Sequence, residues 1–156
     1  MPNRTQIDHI TLPIAGLPVH LAGTRIAQIS DVHAGAFFTP EQLAYAIEQV
    51  NQVGAELLML TGDFATVRER DRAKRAPLRA RAFMSLVEPL RRATMPMVAV
   101  TGNHDHWGGL EPMLQMASAA GVVPSSAASA VIPRALVSRS SVICDLNHSI
   151  STLRAR

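Results

Sequence analysis

The 156-residue sequence predicts an α/β fold with a mainly parallel β-sheet and flanking helices. Short apolar segments at 24–30, 56–61 and 97–101 read as strands, and segments with helical periodicity separate them. Apolar residues make up 47% of the chain and charged residues 17%, which is enough apolar material for a packed core. This composition excludes a wholly disordered chain.

The elements follow in order from the N-terminal region. Residues 9–14 are a candidate edge strand, and the first predicted parallel strand comes after them. Thr39 is the predicted N-cap of the first helix, because Pro40 then takes the first helical position and Gln42 stands three residues after the cap. Gly54 is expected to end this helix.

Two further helices complete the alternation. Residues 77–93 carry helical periodicity, and Pro89 inside this pattern is expected to kink or end the helix. Residues 110–120 form the last helix candidate, with Gly121 as its terminator. The crossovers between parallel strands are expected to be right-handed.

The C-terminal segment has a different composition. Residues 124–156 contain eight serines and no glycine, and only 135–137 and 141–143 look strand-like. We therefore expect one domain portion over residues 1–123 and an atypical Ser/Ala-rich tail over 124–156.

Three polar motifs stand directly after the three apolar strands. They are Asp31-Val32-His33, Gly62-Asp63 and Gly102-Asn103-His104-Asp105. Ligands bind outside the carboxyl ends of the strands in an open parallel sheet. The three motifs are therefore expected to meet at one rim of the sheet.

The residue types in these motifs suit metal binding. Asp31 and His33 are two apart, so in extended backbone their side chains share a face and can hold one ion. The Asp63 carboxylate can bridge two cations, and Asn103 offers a neutral amide oxygen. This oxygen and nitrogen mixture favours Mn, Fe or Zn. Two such ions ~3.5–4 Å apart would clamp a phosphate and generate a hydroxide nucleophile.

His104 is the candidate proton donor for a leaving oxygen, and Asp105 is expected to orient or charge its imidazole. The plainer alternative makes the acidic and amide residues ordinary turn or cap residues, as is common after strands. The joint occurrence of three motifs with two histidines favours the site.

The three motifs resemble the first three motifs of the calcineurin-like metallophosphoesterases, over residues 25–123. The segment 23–26 is similar to a bacterial branch that includes membrane-associated phosphodiesterases. The resemblance implies the N-terminal half of a four-layer α/β/β/α sandwich and a dinuclear site that hydrolyses phosphate mono- or diesters. It assigns the first metal to Asp31, His33 and Asp63, the second to Asp63 and Asn103, and the leaving group to His104 with Asp105 behind it.

The family pattern continues with a lone histidine and a Gly-His-x-His motif, and this sequence has neither. His148 is the only histidine after His106, so four of seven expected ligands are present. We therefore interpret the chain as the first half of such a protein, from a truncated or frame-shifted reading frame, with an incomplete site. Assembly with a second chain that supplies the missing histidines is an alternative.

A basic segment suggests a competing function. Residues 68–92 hold nine of the fifteen basic residues, which would suit a non-catalytic module that binds anionic partners, such as an anionic membrane surface. A solvated helix with local ion pairs is the plainer interpretation. No aromatic residues interleave with the cations of residues 68–81, which argues against nucleic acid as a partner.

Cysteine content and hydropathy indicate the compartment. Cys144 is the only cysteine, which excludes an intrachain disulfide and favours a reducing environment. No segment approaches the ~20 apolar residues of a membrane span. We expect a cytoplasmic protein, with peripheral membrane attachment as the alternative; the sequence leaves the oligomeric state open.

Overall fold

A computed structural model of the chain describes residues 6–107, 109–125 and 149–155. The strands are β1 Gln6–Leu12, β2 Arg25–Ile29, β3 Leu57–Thr61, β4 Met97–Val100, β5 Val122–Pro124 and β6 Ser149–Ala155. The helices are a 3₁₀ turn at Val19–Leu21, α1 Pro40–Gln52, α2 Arg72–Met84, α3 Val87–Leu90, α4 Asn103–His106 and α5 Glu111–Ala120. The described residues contain no helix with the length and apolar character to cross a bilayer.

The strands form one sheet in the order β1-β6-β2-β3-β4-β5. Strands β2 to β5 are parallel neighbours, whereas β6 runs antiparallel to β2 and parallel to β1. The α/β class with a mainly parallel sheet is therefore confirmed. Because β2, β3 and β4 are adjacent and parallel, their carboxyl ends meet at one rim.

Strand β6 was not predicted from the sequence. It belongs to the segment interpreted as an atypical tail, and it lies between β1 and β2, so β1 is indeed an edge strand. The strand-like segments 135–137 and 141–143 lie outside the described residues.

Alternating strand residues divide the apolar side chains between the two faces of the sheet. One face packs against the helices and forms the main core, with the buried strand residues Ala27, Ile29, Leu58, Leu60, Met97 and Ala99. The other face carries a smaller cluster around buried Leu57 and Val98. Every helix with residues in these two clusters packs on the first face.

Helix α1 begins as the sequence predicts. The backbone N–H of Gln42 donates to Thr39 Oγ1 (3.3 Å), and the backbone N–H of Thr39 donates to Gln42 Oε1 (2.9 Å). This reciprocal pair is a capping box, with Pro40 in the first turn. The helix ends at Gln52, two residues before Gly54, which has a φ of 67°.

The prediction of one helix over 77–93 is wrong. Helix α2 begins five residues earlier, because Asp71 caps it by accepting from the backbone N–H of Ala73 (2.9 Å). Pro77 lies inside α2. The break falls at residues 85–86, and Pro89 lies within the short helix α3.

Replacement of Thr39 tests the start of α1. We expect Thr39→Ala to lower the free energy of unfolding by about 1 kcal/mol, because it removes the side-chain acceptor for the Gln42 amide. Urea denaturation followed by circular dichroism measures this loss. Thr39→Ser keeps the acceptor and should retain the stability. Equal midpoints for Thr39→Ala and the unaltered chain would contradict the prediction.

Candidate metal centre

The three polar motifs meet at the carboxyl-terminal rim of β2, β3 and β4, as their order predicts. Backbone hydrogen bonds join the first two motifs beyond the strands. The N–H of Asp31 donates to the carbonyl of Gly62 (3.2 Å), and the N–H of His33 donates to the carbonyl of Asp63 (2.8 Å). The parallel pairing of β2 and β3 thus extends into the site and fixes the register of the two loops.

Three site residues have an unusual backbone conformation. Among the described residues, the non-glycine residues with positive φ are Asp31 (55°), His33 (45°) and Asp63 (54°). Such left-handed conformations are uncommon for side-chain-bearing residues and cluster at functional sites. The left-handed backbone at these three positions therefore sets the direction in which each predicted ligand side chain leaves the chain.

Two glycines allow the second and third motifs to touch. A Cβ atom on Gly62 would lie 2.7 Å from the Cα atom of Gly102. A Cβ atom on Gly102 would lie 2.6 Å from the backbone nitrogen of Asp63 and 2.8 Å from its carboxyl carbon. Both positions need glycine because the backbones approach too closely for any side chain.

Two of the three predicted ligands of the first metal, His33 and Asp63, lie in one group with His104. His33 Nε2 lies 3.6 Å from Asp31 Oδ1 and 3.8 Å from Asp63 Oδ2. Donor atoms of His33, Asp63 and His104 all lie within 4.8 Å of one another. Ligand atoms about 2.1 Å from a shared ion can be up to ~4.2 Å apart, so His33 can share an ion with either carboxylate. Asp31 is not part of the group of three that lies within 4.8 Å, so His104 stands in that group where the sequence predicts Asp31.

The remaining predicted site residues belong to the third motif. Asn103 begins α4 with an exposed side chain beside His104 in the chain, and its role as a ligand stays a prediction. The backbone N–H of His104 donates to Asp63 Oδ1 (3.0 Å). The His104 ring contacts the exposed Trp107 ring at a tilt, with centroids 3.9 Å apart. His104 therefore stands at the rim, within reach of the candidate ion.

Asp105 has different partners from those expected. Its fully buried carboxylate accepts backbone N–H bonds from Gly102 (2.9 Å), Asp63 (2.8 Å) and Phe64 (2.9 Å). Burial raises the pKa of Asp105, while these three donors lower it and the nearby Asp63 charge raises it. Asp105 thus fastens the second motif to the third.

The partner of the His104 imidazole is Thr66, which the sequence analysis did not single out. Thr66 Oγ1 lies 2.8 Å from His104 Nδ1 and 2.7 Å from His33 Nδ1. The hydroxyl therefore occupies the place beside the His104 ring that the sequence analysis gave to Asp105. Thr66 lies three residues after Asp63, in the same loop after β3. This proximity in the chain was the sequence signal that could have identified Thr66 as a site residue.

Arg79 is a second structural residue that the sequence analysis missed, because it counted this residue among the solvated cations. Its side chain is 7% exposed, and Nη2 donates to the backbone carbonyls of His104 (2.7 Å) and Asp105. The guanidinium lies 5.4 Å from the centre of the Phe83 ring, one helical turn further along α2. Burial lowers the pKa of Arg79, and the charge of Asp105 opposes this effect.

Other cations of the basic segment have local partners. Lys74 lies 3.8 Å from Asp71, and Arg92 lies 3.3 Å from Glu48. The guanidinium of Arg68 lies over the Phe37 ring at 4.2 Å. Lys74 and Asp71 form a local pair, whereas Arg92 and Arg68 contact residues distant in the chain. Exposed pairs of this kind fit a largely solvated surface.

Two cavities lie on the side of α2, and the smaller of them borders the site. The smaller, of about 350 Å³, touches His104 and is lined by Thr66, Arg68, Arg70, Arg75, Arg79 and Trp107, among others. The larger, of about 680 Å³, is lined by Phe37, Phe38, Arg68, Leu78 and Arg81, among others. The space next to His104 is thus lined by four arginines and one acidic residue, Glu69.

The α/β fold and the rim of histidines and carboxylates are consistent with the calcineurin-like phosphoesterase family. The sequence profile of the calcineurin-like phosphoesterases matches residues 24–152, and the chain belongs to this family. It is 27% identical over 109 residues to the uncharacterized metallophosphoesterase YkuE of Bacillus subtilis strain 168. The match covers 69% of this chain and 35% of that relative, so it spans about a third of the relative's length.

Replacement of Arg79 tests its contacts with the third motif. We expect Arg79→Ala to lower the free energy of unfolding by about 3 kcal/mol, because two backbone carbonyls lose their donor and a buried side chain is removed. Arg81→Ala, on the exposed side of the same helix, should change it by less than about 0.5 kcal/mol. Guanidinium denaturation measures both. Similar losses for the two variants would contradict the prediction.

Proposed function

We propose that this chain binds divalent metal ions at the strand rim and hydrolyses a phosphate mono- or diester there. One observation carries the proposal: His33 Nε2 faces the carboxylates of Asp31 and Asp63, with His104 beside them, in a chain of this family. Histidine nitrogen with carboxylate oxygen is a donor set that binds Mn, Fe and Zn.

Asp31, His33 and Asp63 hold the first ion in this proposal, and Asp63 and Asn103 hold the second. Bound ions of this kind polarise a phosphoryl oxygen and acidify a water molecule. Asp105 and the two glycines keep the second and third motifs in contact, so the Asp63 and His104 side chains stay at the rim.

The side of the site next to α2 favours an anionic substrate. Arg68, Arg70 and Arg75 line the smaller cavity together with His104. Their charges raise the local concentration of phosphate esters. In this proposal His104 hydrogen-bonds the leaving oxygen, and the exposed Trp107 ring next to it contacts the organic group of the substrate.

A non-catalytic role in binding polyanions is the competing function. The cavity-lining arginines favour it, whereas the local pairing of Lys74 and Arg92 weakens it. Such a role needs no metal, and it predicts binding that weakens steeply as salt rises.

Metal titration of the full chain separates the two functions. We expect Mn²⁺ binding by calorimetry, with the affinity reduced at least about 100-fold in Asp63→Asn, because the amide removes the charge that faces His33. Glu88→Gln removes an exposed carboxylate on α3 and should leave the affinity unchanged. Absence of metal binding, together with salt-sensitive binding to heparin, would favour the competing function.

Hydrolysis of aryl phosphate mono- and diesters with Mn²⁺ tests the reaction itself. We expect low turnover, because the motifs present supply four of the seven ligands that the family pattern implies. This turnover should be lost in Asp63→Asn and in His104→Ala, and kept in Glu88→Gln. Turnover that persists in Asp63→Asn would refute the assignment of the site.

A further inference from the structure

One hydroxyl group joins the two histidines of the site. Thr66 Oγ1 lies 2.7 Å from His33 Nδ1 and 2.8 Å from His104 Nδ1, and the two rings are nearly perpendicular with centroids 4.8 Å apart. The backbone N–H of Thr66 donates to the carbonyl of Ala34 (3.0 Å), which holds the residue against the first motif. Within the part of the chain that the structure describes, the two imidazoles are the partners of this hydroxyl.

The number of protons restricts this arrangement. A hydroxyl carries one hydrogen and can accept further hydrogen bonds at its oxygen, and a neutral imidazole carries one N–H. Thr66 can therefore donate to one Nδ1 atom, and the other ring must then donate its Nδ1–H to Thr66. Whenever Thr66 donates to one ring, the two rings take opposite tautomers. Both rings can also donate to the hydroxyl oxygen, but they cannot both lack a proton on Nδ1, because the hydroxyl has only one hydrogen to give.

Metal binding at His33 decides which imidazole donates to Thr66 and which one accepts from it. A nitrogen that binds a metal carries no proton, so an ion at His33 Nε2 places the proton of that ring on Nδ1. His33 then donates to Thr66, Thr66 donates to His104 Nδ1, and His104 carries its proton on Nε2. Without an ion, the Asp31 and Asp63 carboxylates at 3.6 Å and 3.8 Å favour the proton on His33 Nε2, which reverses both bonds.

We infer that Thr66 is a positioning residue that couples metal binding at His33 to the tautomer of His104. The inference rests on the proposed function, since it needs an ion at His33. The two neutral imidazoles keep the same number of protons with and without a metal ion. Only the ring nitrogens that carry these protons change. In the metal-bound chain, His104 carries its hydrogen-bond donor on Nε2, and its ring contacts the Trp107 ring with centroids 3.9 Å apart.

Nitrogen-15 NMR of the histidine rings tests this coupling without an activity measurement. Spectra are recorded on the full chain at about pH 8.5, where ordinary histidines are neutral, without metal and with saturating Zn²⁺. In the unaltered chain and in Thr66→Ser, we expect His104 to change from Nδ1–H to Nε2–H when Zn²⁺ is added. In Thr66→Val, the His104 tautomer should not respond, although Zn²⁺ still binds, with about tenfold lower affinity.

Thr101→Val is the matched control, because the Thr101 hydroxyl lies 3.0 Å from Nε2 of another histidine, His106. This variant should keep the Zn²⁺-dependent change at His104. The inference is overturned if bound Zn²⁺ leaves the His104 tautomer unchanged in the unaltered chain, or if Thr66→Val responds as the unaltered chain does. Absence of Zn²⁺ binding in the unaltered chain, measured by calorimetry, would instead overturn the proposed function together with this inference.

Discussion

The buried carboxylate of Asp105 is the contact on which the rest of the site depends. It accepts hydrogen bonds from the backbone N–H groups of Gly102, Asp63 and Phe64, so it joins the loops that follow β3 and β4. An anion without these donors would be costly to bury. Because the donors belong to the loops themselves, Asp105 can stay buried only while Asp63 and His104 keep their places at the rim.

The other constraints act through the same loops. Arg79 donates to the carbonyls of the third motif from α2, which ties the helical layer to the site. The left-handed backbone of Asp31, His33 and Asp63 stores strain of about 1–3 kcal/mol per residue, which the surrounding contacts must offset. A site held in this way is preorganised, because the backbone fixes these side chains before any ligand binds.

Local signals predicted the fold well wherever they were strong. The Thr39 capping box and the glycine after α5 appear at the predicted positions, because both depend on residues within one helical turn. Helix α2 shows the limit of such signals. The helical pattern predicts a start at residue 77, yet the Asp71 cap starts the helix five residues earlier, with Pro77 inside it.

The sequence by itself determined the α/β class, the order of the three motifs and the residue types at the rim, because strand periodicity and motif spacing are local properties. Only the tertiary structure decided which groups meet. It placed β6 between β1 and β2, gave Asp105 three backbone donors, and put Thr66 between the two imidazoles. Apart from the Gly102–Asp105 bond, these contacts join residues that are about 30 or more positions apart in the chain, and their hydrogen-bond geometry depends on how the loops pack rather than on any spacing in the sequence.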